Sequence, residues 1–376
     1  MDARTVILHL SLIDGVGPAT IAKMSAVLST DSLAWQTVYR MTETHVMHTF
    51  GLSRTIAHKI ETGLRTMSLL TQELDLIQRH AIQWVTVLDD TYPSLLRHIH
   101  TPPAVLYWRG ACLQQLSARA IAMIGSRRAN AYGQRIINKF VPPLVENAYT
   151  IVSGGAVGAD TMAHRAAVNN KGTTIVVLGS GLLRPYPREN VPLFADILSA
   201  GGAVMSIFPL TTEPVPGNFP ARNRVIAGLS HSCIVVQAAA RSGAAITAAY
   251  ALEQGRDVFA VPGALDDELS AGCHALIKEG ATLLADITDI PGYVGYQRGA
   301  AKAEEPHGIV CAPYQPAIAQ DLQELDPLLA LCDTPRSIDE LVVLSGTAFE
   351  LVQDRLFELQ LEGRVVQDFT GMWRSC

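Results

Sequence analysis

Residues 119 to about 290 alternate between short apolar runs, rich in β-branched side chains, and stretches of helical length. Seven runs have the composition of buried strands: Ala120–Ile124, Tyr149–Val152, Thr174–Leu178, Ala203–Ser206, Cys233–Val236, Asp257–Val261 and Thr282–Leu284. Between them lie helical stretches that include Asp160–Asn169, Pro192–Ala200, Ala244–Gln254 and Ala271–Lys278. This alternation predicts an α/β fold, a parallel sheet with helices on both faces.

Two local features modify that prediction. Pro142 and Pro143 lie inside the otherwise helical stretch Tyr132–Asn147. Because proline lacks a backbone N–H and crowds the preceding turn, we predict a break or kink there. Upstream, Trp84–Leu88 and Val105–Trp108 predict two strands that flank the sheet domain.

The ends of the chain differ from its middle. Residues 1–80 lack strand-like alternation and predict a helical domain of the SAM/helix-hairpin-helix type. In it, Asp14–Thr20 and Phe50–Arg54 resemble hairpins that either bind a DNA backbone or only connect packed helices. The sheet domain then covers residues 81–295, and the Pro-rich residues 296–323 predict a linker.

Residues 324–376 predict a small C-terminal domain. Three short helices are expected at Asp326–Leu331, Ser337–Leu344 and Thr347–Glu362, followed by a hairpin over residues 364–374. This order is that of a winged helix. Its candidate recognition helix, Thr347–Leu359, carries three acids against one arginine, which would repel phosphates. We therefore expect an accessory module that contacts protein or stabilises the chain.

Charge is distributed unevenly along the 376 residues. The formal net charge is −6, yet residues 119–228 hold eleven Lys and Arg against five Asp and Glu. The other residues hold 18 basic and 30 acidic side chains. This asymmetry indicates either an anion site in the middle of the chain or an ordinary solvated surface.

Cellular location is predicted from composition. No apolar run is long enough to span a bilayer, and the first residues lack the pattern of a secretion signal. The six cysteines are scattered, without the paired spacing of a zinc site or a disulfide framework. We expect a cytoplasmic protein without a metal site, a cofactor or a membrane anchor.

Glycines and arginines follow the predicted strands. Because ligands of parallel sheets bind beyond the carboxyl ends of the strands, these segments should meet at one edge and form an anion pocket. Arginine offers forked donors to phosphate, and an aromatic ring offers a stacking face to a base. The candidate DNA-binding residues are Gly125, Ser126, Arg127, Gly154, Gly155, Gly158, Gly179, Gly181, Phe219, Arg222, Asn223 and Arg224.

The same segments carry a family resemblance. Met123–Arg127, Ser153–His164, Val177–Gly181, Tyr186-Pro187, Phe219–Ser230, Ser242–Ala248 and Gly255–Gly263 occur in the order typical of the DNA-processing DprA/Smf family. Tyr92–Leu96 and Pro102–Tyr107 also fit. The resemblance covers nearly the whole chain. It implies an extended Rossmann-like domain, with an N-terminal helical domain and a C-terminal winged helix.

The resemblance also implies a function. Members of the family bind and protect single-stranded DNA during natural transformation and help to load the recombinase RecA onto it. They act as homodimers joined through the Rossmann-like domain, without catalysis. Their DNA pocket corresponds to Gly125, Ser126, Arg127, Phe219, Arg222 and Arg224.

Three positions depart from the family pattern. Val157 stands where an arginine is usual, and Ile207 and Gln237 stand where glutamates are usual. The first change puts the phosphate contact of the glycine turn in doubt, whereas the fold should be unaffected.

Two other functions compete with this interpretation. Glycine-loop sheets of this kind resemble the lysine-decarboxylase-like phosphoribohydrolases, which act on nucleoside monophosphates. Those enzymes need a glutamate after a glycine-rich turn, whereas Ala248 and Ala249 occupy that place here. A sensor that binds a free nucleotide is the other alternative. We expect no catalytic residues.

Overall fold

The carboxyl ends of seven parallel strands form one edge of a nine-stranded sheet in this computed structural model. The structure describes residues 2–28, 32–240, 242–290, 331–332, 334–346, 352, 356, 359, 365–367 and 372–375. It divides into two compact units, 1–314 and 315–376, which are described separately.

The sheet has the strand order β1-β2-β6-β5-β4-β3-β7-β8-β9. Its strands are β1 Gln83–Thr86, β2 Val105–Gly110, β3 Ala120–Ile124, β4 Thr150–Ser153, β5 Thr174–Val177, β6 Ala203–Ser206, β7 Ser232–Val235, β8 Asp257–Ala260 and β9 Thr282–Leu283. β3 to β9 pair in parallel. Next to β6, β2 pairs antiparallel with β6 and β1 pairs antiparallel with β2. The two flanking strands therefore belong to the same sheet.

Helices cover both faces of the sheet. They are α7 Ser94–Arg97, α8 Leu113–Ser117, α9 Ala131–Glu146, α10 Ala159–Asn169, α11 Val191–Ser199, α12 Asn218–Gly228, α13 Gly243–Glu253 and α14 Ala271–Lys278. Along β3, Ala120, Ala122 and Ile124 enter one apolar core while Ile121 and Met123 enter another. This alternation places a hydrophobic layer on each face. The predicted α/β fold is confirmed.

The predicted break at Pro142 and Pro143 is wrong, because α9 runs from Ala131 to Glu146 with both prolines inside it. The backbone carbonyls four residues earlier belong to Asn138 and Lys139, and both residues are exposed. Water can hydrate the carbonyls that the prolines leave without donors, which lowers the cost of the missing hydrogen bonds. Burial of the opposite face against the core stabilises the helix.

The described residues of the N-terminal part of the first unit form six α-helices: α1 Ala3–Ser11, α2 Pro18–Leu28, α3 Ser32–Thr37, α4 Glu43–Phe50, α5 Arg54–Leu64 and α6 Met67–Arg79. Their buried side chains share one apolar core with residues of the sheet domain, including Tyr107 and Leu210. Arg4 donates to the carbonyl of Trp84, and its Nε lies 3.2 Å from Oδ2 of Asp89. The helices thus pack directly against the sheet.

Within the second unit, α15 spans Ile338–Ser345, and β10 Val365–Gln367 pairs antiparallel with β11 Trp373–Ser375. Val352, Leu356 and Leu359 are helical and fully buried. Most of the predicted first and third helices, and the predicted linker, lie outside the described residues. Across the described part of the chain, no helix is long and apolar enough to cross a membrane.

Candidate nucleic-acid interface

The loops after the parallel strands surround a cavity of about 700 Å³ at the carboxyl edge of the sheet, here called the edge cavity. Its lining includes six of the predicted residues: Gly125, Ser126, Arg127, Phe219, Arg222 and Asn223. A smaller cavity of about 120 Å³, the side cavity, adjoins it and shares Arg127, Phe219 and Arg222. Segments nearly 100 residues apart therefore converge as the parallel topology requires.

The glycine turn between β4 and α10 is organised by Asp160. One oxygen of this carboxylate, Oδ2, accepts from the backbone N–H groups of Gly154 at 3.1 Å and Ala156 at 3.3 Å. Burial raises the pKa of Asp160, against the opposing effects of the Arg222 charge and these N–H donors. Asp160 is therefore engaged in holding the turn rather than poised as a catalytic base.

Arg222 supports the same turn from below. Only 4% of its surface is exposed, and its Nη1 donates to the carbonyl of Val177 at 2.8 Å. Burial lowers the pKa of Arg222 to about 10, partly offset by the charge of Asp160, so the guanidinium stays positive at neutral pH. The pair thus places a fixed, largely desolvated cation beneath the glycine turn.

The loop after β3 carries Arg127 into the edge cavity. Ser126 N donates to the carbonyl of Gln237 at 2.7 Å, and its Oγ accepts from Arg128 N at 3.0 Å. Gln237 also exchanges two side-chain hydrogen bonds with Asn130 at the end of the loop. These contacts fix the loop backbone while the side chains of Arg127 and Arg128 remain exposed. Arg128 pairs with Glu268 at 3.1 Å.

Two guanidinium groups lie near the ring of Phe219. The guanidinium carbons of Arg127 and Arg222 lie 5.7 Å and 5.6 Å from the ring centroid. Tyr186 approaches the same ring edge-on, with centroids 6.1 Å apart and planes at 65°. The arrangement combines an aromatic ring with two nearby positive charges, which suits a base and its phosphate.

Some predicted residues do not line either cavity. Gly155, Gly158, Gly179 and Gly181 instead permit close packing: a Cβ at Gly179 would lie 2.9 Å from the Phe219 ring, and one at Gly158 would lie 2.4 Å from the carbonyl oxygen of Ser126. Gly154 lines the side cavity. Arg224 is half-buried on another side of α12, where its carbonyl accepts from Gln254.

The sequence did not predict three residues that form or support the edge cavity. Tyr186 and Arg128 line the edge cavity, and Gln237 holds the loop that carries Arg127. The signal for Tyr186 was its place, shortly after the glycines that follow β5 at the same edge. Gln237 lies two residues after the end of β7, and a polar side chain at that place also indicated the carboxyl ends of the strands.

The three departures from the family pattern differ in their surroundings. Val157 is 42% exposed and lines the side cavity. Ile207 packs against the hydrophobic core. Within the described residues, no cluster of three or more His, Cys, Asp or Glu side chains could hold a metal ion.

The chain is similar to DNA-processing proteins of several bacteria. Residues 83–294 match the family model described as DNA recombination-mediator protein A, and residues 312–368 match the DprA winged helix domain. Protein Smf of Synechocystis sp. is 33% identical over 95% of both chains. DNA processing protein DprA of Streptococcus pneumoniae is 44% identical over 54% of this chain and 72% of its own length.

A solved structure agrees with this relationship. The X-ray structure of DNA processing protein A from Streptococcus pneumoniae superposes with a TM-score of 0.65 at 32% identity, covering 77% of this chain and 97% of that one. The sheet domain and the winged-helix match together account for most of the sequence. The chain therefore belongs to the DNA recombination-mediator protein A family, whose members are named DprA or Smf.

Proposed function

We propose that this protein binds single-stranded DNA in the edge cavity, and the two guanidinium groups within about 6 Å of the Phe219 ring carry the proposal. A base that stacks on the ring would bring its phosphate close to Arg127. The side chain of Arg127 is exposed, so it can adjust to the position of the DNA backbone. Every base has an aromatic face, so this mode discriminates little between sequences.

The bases of a duplex are inaccessible to such a ring. Phe219 lines the edge cavity and is the second residue of α12. A paired and stacked base would have to leave the helix to reach it, which costs free energy. We therefore expect preferential binding of single strands, with Gly125, Ser126 and Asn223 close to the backbone.

The proposed activity is binding without catalysis. At the place where related phosphoribohydrolases need a glutamate, Ala248 is fully buried in α13 and offers no carboxylate. The one carboxylate in the glycine turn, Asp160, is occupied by backbone N–H groups. Incubation with nucleoside monophosphates should release no free base, whereas release at ~1 per second would be typical of an enzyme.

Family membership supports a wider role. We propose that the protein acts in the cytoplasm as a homodimer joined through its Rossmann-like domain, protects incoming single strands in natural transformation, and helps RecA to assemble on them. Sedimentation analysis would test the dimer. A RecA filament assay on strands coated with single-strand-binding protein would test loading, with failure to accelerate assembly as the contradictory result.

The binding proposal is tested by titrating labelled oligo-dT, duplex DNA and free nucleotides with the protein. We expect oligo-dT to bind more tightly than either competitor. Phe219→Ala should weaken oligo-dT binding by about 1–3 kcal/mol, the range for loss of one stacked base, while Phe219→Tyr keeps the ring and the affinity. Equal binding of duplex and single strand, or tight binding of a mononucleotide alone, would refute the proposal.

A further inference from the structure

A second aromatic face lies beside Phe219. The side chain of Tyr186 is 41% exposed, although it borders both the edge cavity and the side cavity. Its ring meets Phe219 edge-on rather than face to face. One broad face of Tyr186 is therefore not covered by Phe219.

Part of the lining of the side cavity is apolar. Val157, Pro187 and Ala156 contribute to its wall, and Val157 is substantially exposed. The charges around it are divided, because Arg127 and Arg222 also line it together with the exposed carboxylate of Glu189. The arginines attract a phosphate, whereas the carboxylate of Glu189 repels it. The apolar part of the wall therefore suits a base rather than a phosphate.

From this geometry, and resting on the single-strand binding proposed above, we infer that Tyr186 forms a second base subsite. Two adjacent bases of one strand bind the protein, one on Phe219 and the next on Tyr186, with the phosphate between them facing Arg127. The side cavity is then the place of the second base, and Val157 contacts its edge.

The angle between the rings sets the conformation of the bound strand. A base stacks parallel to the ring it covers, and the planes of Tyr186 and Phe219 differ by 65°. Adjacent bases in a helical single strand are parallel, so both rings are filled only if the two bases separate. Strands whose bases stack strongly on each other must lose that stacking, so an adenine run binds more weakly than a thymine run of equal length.

The experiment uses two strands of equal length, oligo-dT and a strand in which thymine alternates with abasic sites. The full-length protein is titrated with each. The alternating strand carries the same phosphates but never presents two adjacent bases. We expect the wild-type protein to bind oligo-dT about 5- to 150-fold more tightly, the effect of one additional stacked base.

Tyr186→Ala should remove that preference and leave the salt dependence of binding unchanged, because no phosphate contact is lost. Tyr186→Phe keeps the ring and should bind as the wild type does. A loss of equal size on both strands would mean that Tyr186 only supports Phe219, which overturns the inference. An unchanged preference in Tyr186→Ala overturns it as well.

The two proposals fail in different ways. If Phe219→Ala binds oligo-dT like the wild type, single-strand binding at this edge is itself refuted. If Phe219→Ala weakens binding but the wild-type protein does not distinguish the two strands, only the second subsite is refuted. Should Tyr186→Ala not fold by circular dichroism, Tyr186→Leu takes its place, because it removes the aromatic face and keeps a bulky apolar side chain; an unchanged preference in that variant overturns the inference.

Discussion

The guanidinium of Arg222 lies so close to Gly154 that a Cβ added to this glycine would be 1.8 Å from Nη1 of the arginine. The arginine is on α12 and the glycine is in the turn after β4, so the contact joins a helix to a loop of the candidate site. Through this contact the turn that contains Gly154 packs directly against the guanidinium of Arg222. Disruption of this contact should affect both stability and DNA binding.

We therefore expect Gly154→Ala to destabilise the protein by about 1–3 kcal/mol, the usual cost of overpacking a filled interior. Gly243→Ala is the matched control, because a Cβ at this first residue of α13 meets no atom within 4 Å. Urea denaturation of both variants measures the difference. Equal free energies of unfolding for the two variants would contradict the close packing of Arg222 on Gly154.

His164 makes the stability depend on pH. It is fully buried, its Nδ1 lies 2.8 Å from Oγ1 of Thr174, and burial lowers its pKa from 6.5 to about 3. The unfolded chain binds a proton below pH 6.5 whereas the folded protein does not, so stability falls as the pH decreases. Between pH 6.5 and pH 5 the loss should be about 2 kcal/mol.

Urea denaturation across this range measures the effect, with His164→Gln as the comparison. The substitution removes the titrating group, so the decline assigned to His164 should disappear from the pH profile. An identical pH dependence in the two proteins would show that His164 is protonated in the folded state as well.

Glu73 has the opposite pH dependence. Its Oε1 accepts from Leu210 N at 2.9 Å in a buried position between α6 and the loop after β6, and burial raises its pKa above 4.5. The folded protein keeps this proton at pH values where the unfolded chain has lost it, so stability falls as the pH rises above 4.5. Glu73→Gln keeps an acceptor for Leu210 and removes the titration.

The free energy of unfolding of Glu73→Gln, relative to wild type, should therefore increase from pH 4.5 to pH 8. Denaturation at three pH values in this range is sufficient. A difference between the two proteins that stays constant with pH would mean that Glu73 titrates normally.

Truncation tests the independence of the second unit. Every residue proposed to contact DNA belongs to the first unit, which extends to about residue 314. A protein that ends near residue 300 should stay folded and keep most of its affinity for oligo-dT. A loss of more than about tenfold, ~1.4 kcal/mol, in a folded dimer would assign part of the DNA site to the winged helix.

Periodicity explains why much of the sheet was predictable. In β3 the alternate residues Ile121 and Met123 face one core and Ala122 faces the other, and buried strands of this kind are continuous apolar runs. The convergence of Arg127 and Phe219 was also predictable, because parallel strands bring their following loops to one edge.

Other features depend on tertiary contacts that no local pattern carries. Pro220 lies in the first turn of α12, where a missing N–H costs little, so the helix begins before the proline. Arg222 and Arg224 then lie about 200° apart around the helix, so only Arg222 reaches the glycine turn. The burial of Arg222 and its contact with Gly154 required the packed structure.

The most direct test of the account is the salt dependence of oligo-dT binding by Arg127→Ala. We expect weaker binding, with the slope of log affinity against log salt reduced by about one, as for a lost phosphate contact. Arg119→Ala removes an equal charge beside Tyr149, just before the amino end of β3 and so away from the proposed site. This variant should leave the slope unchanged. Wild-type affinity and slope in a folded Arg127→Ala protein would contradict the proposed DNA site.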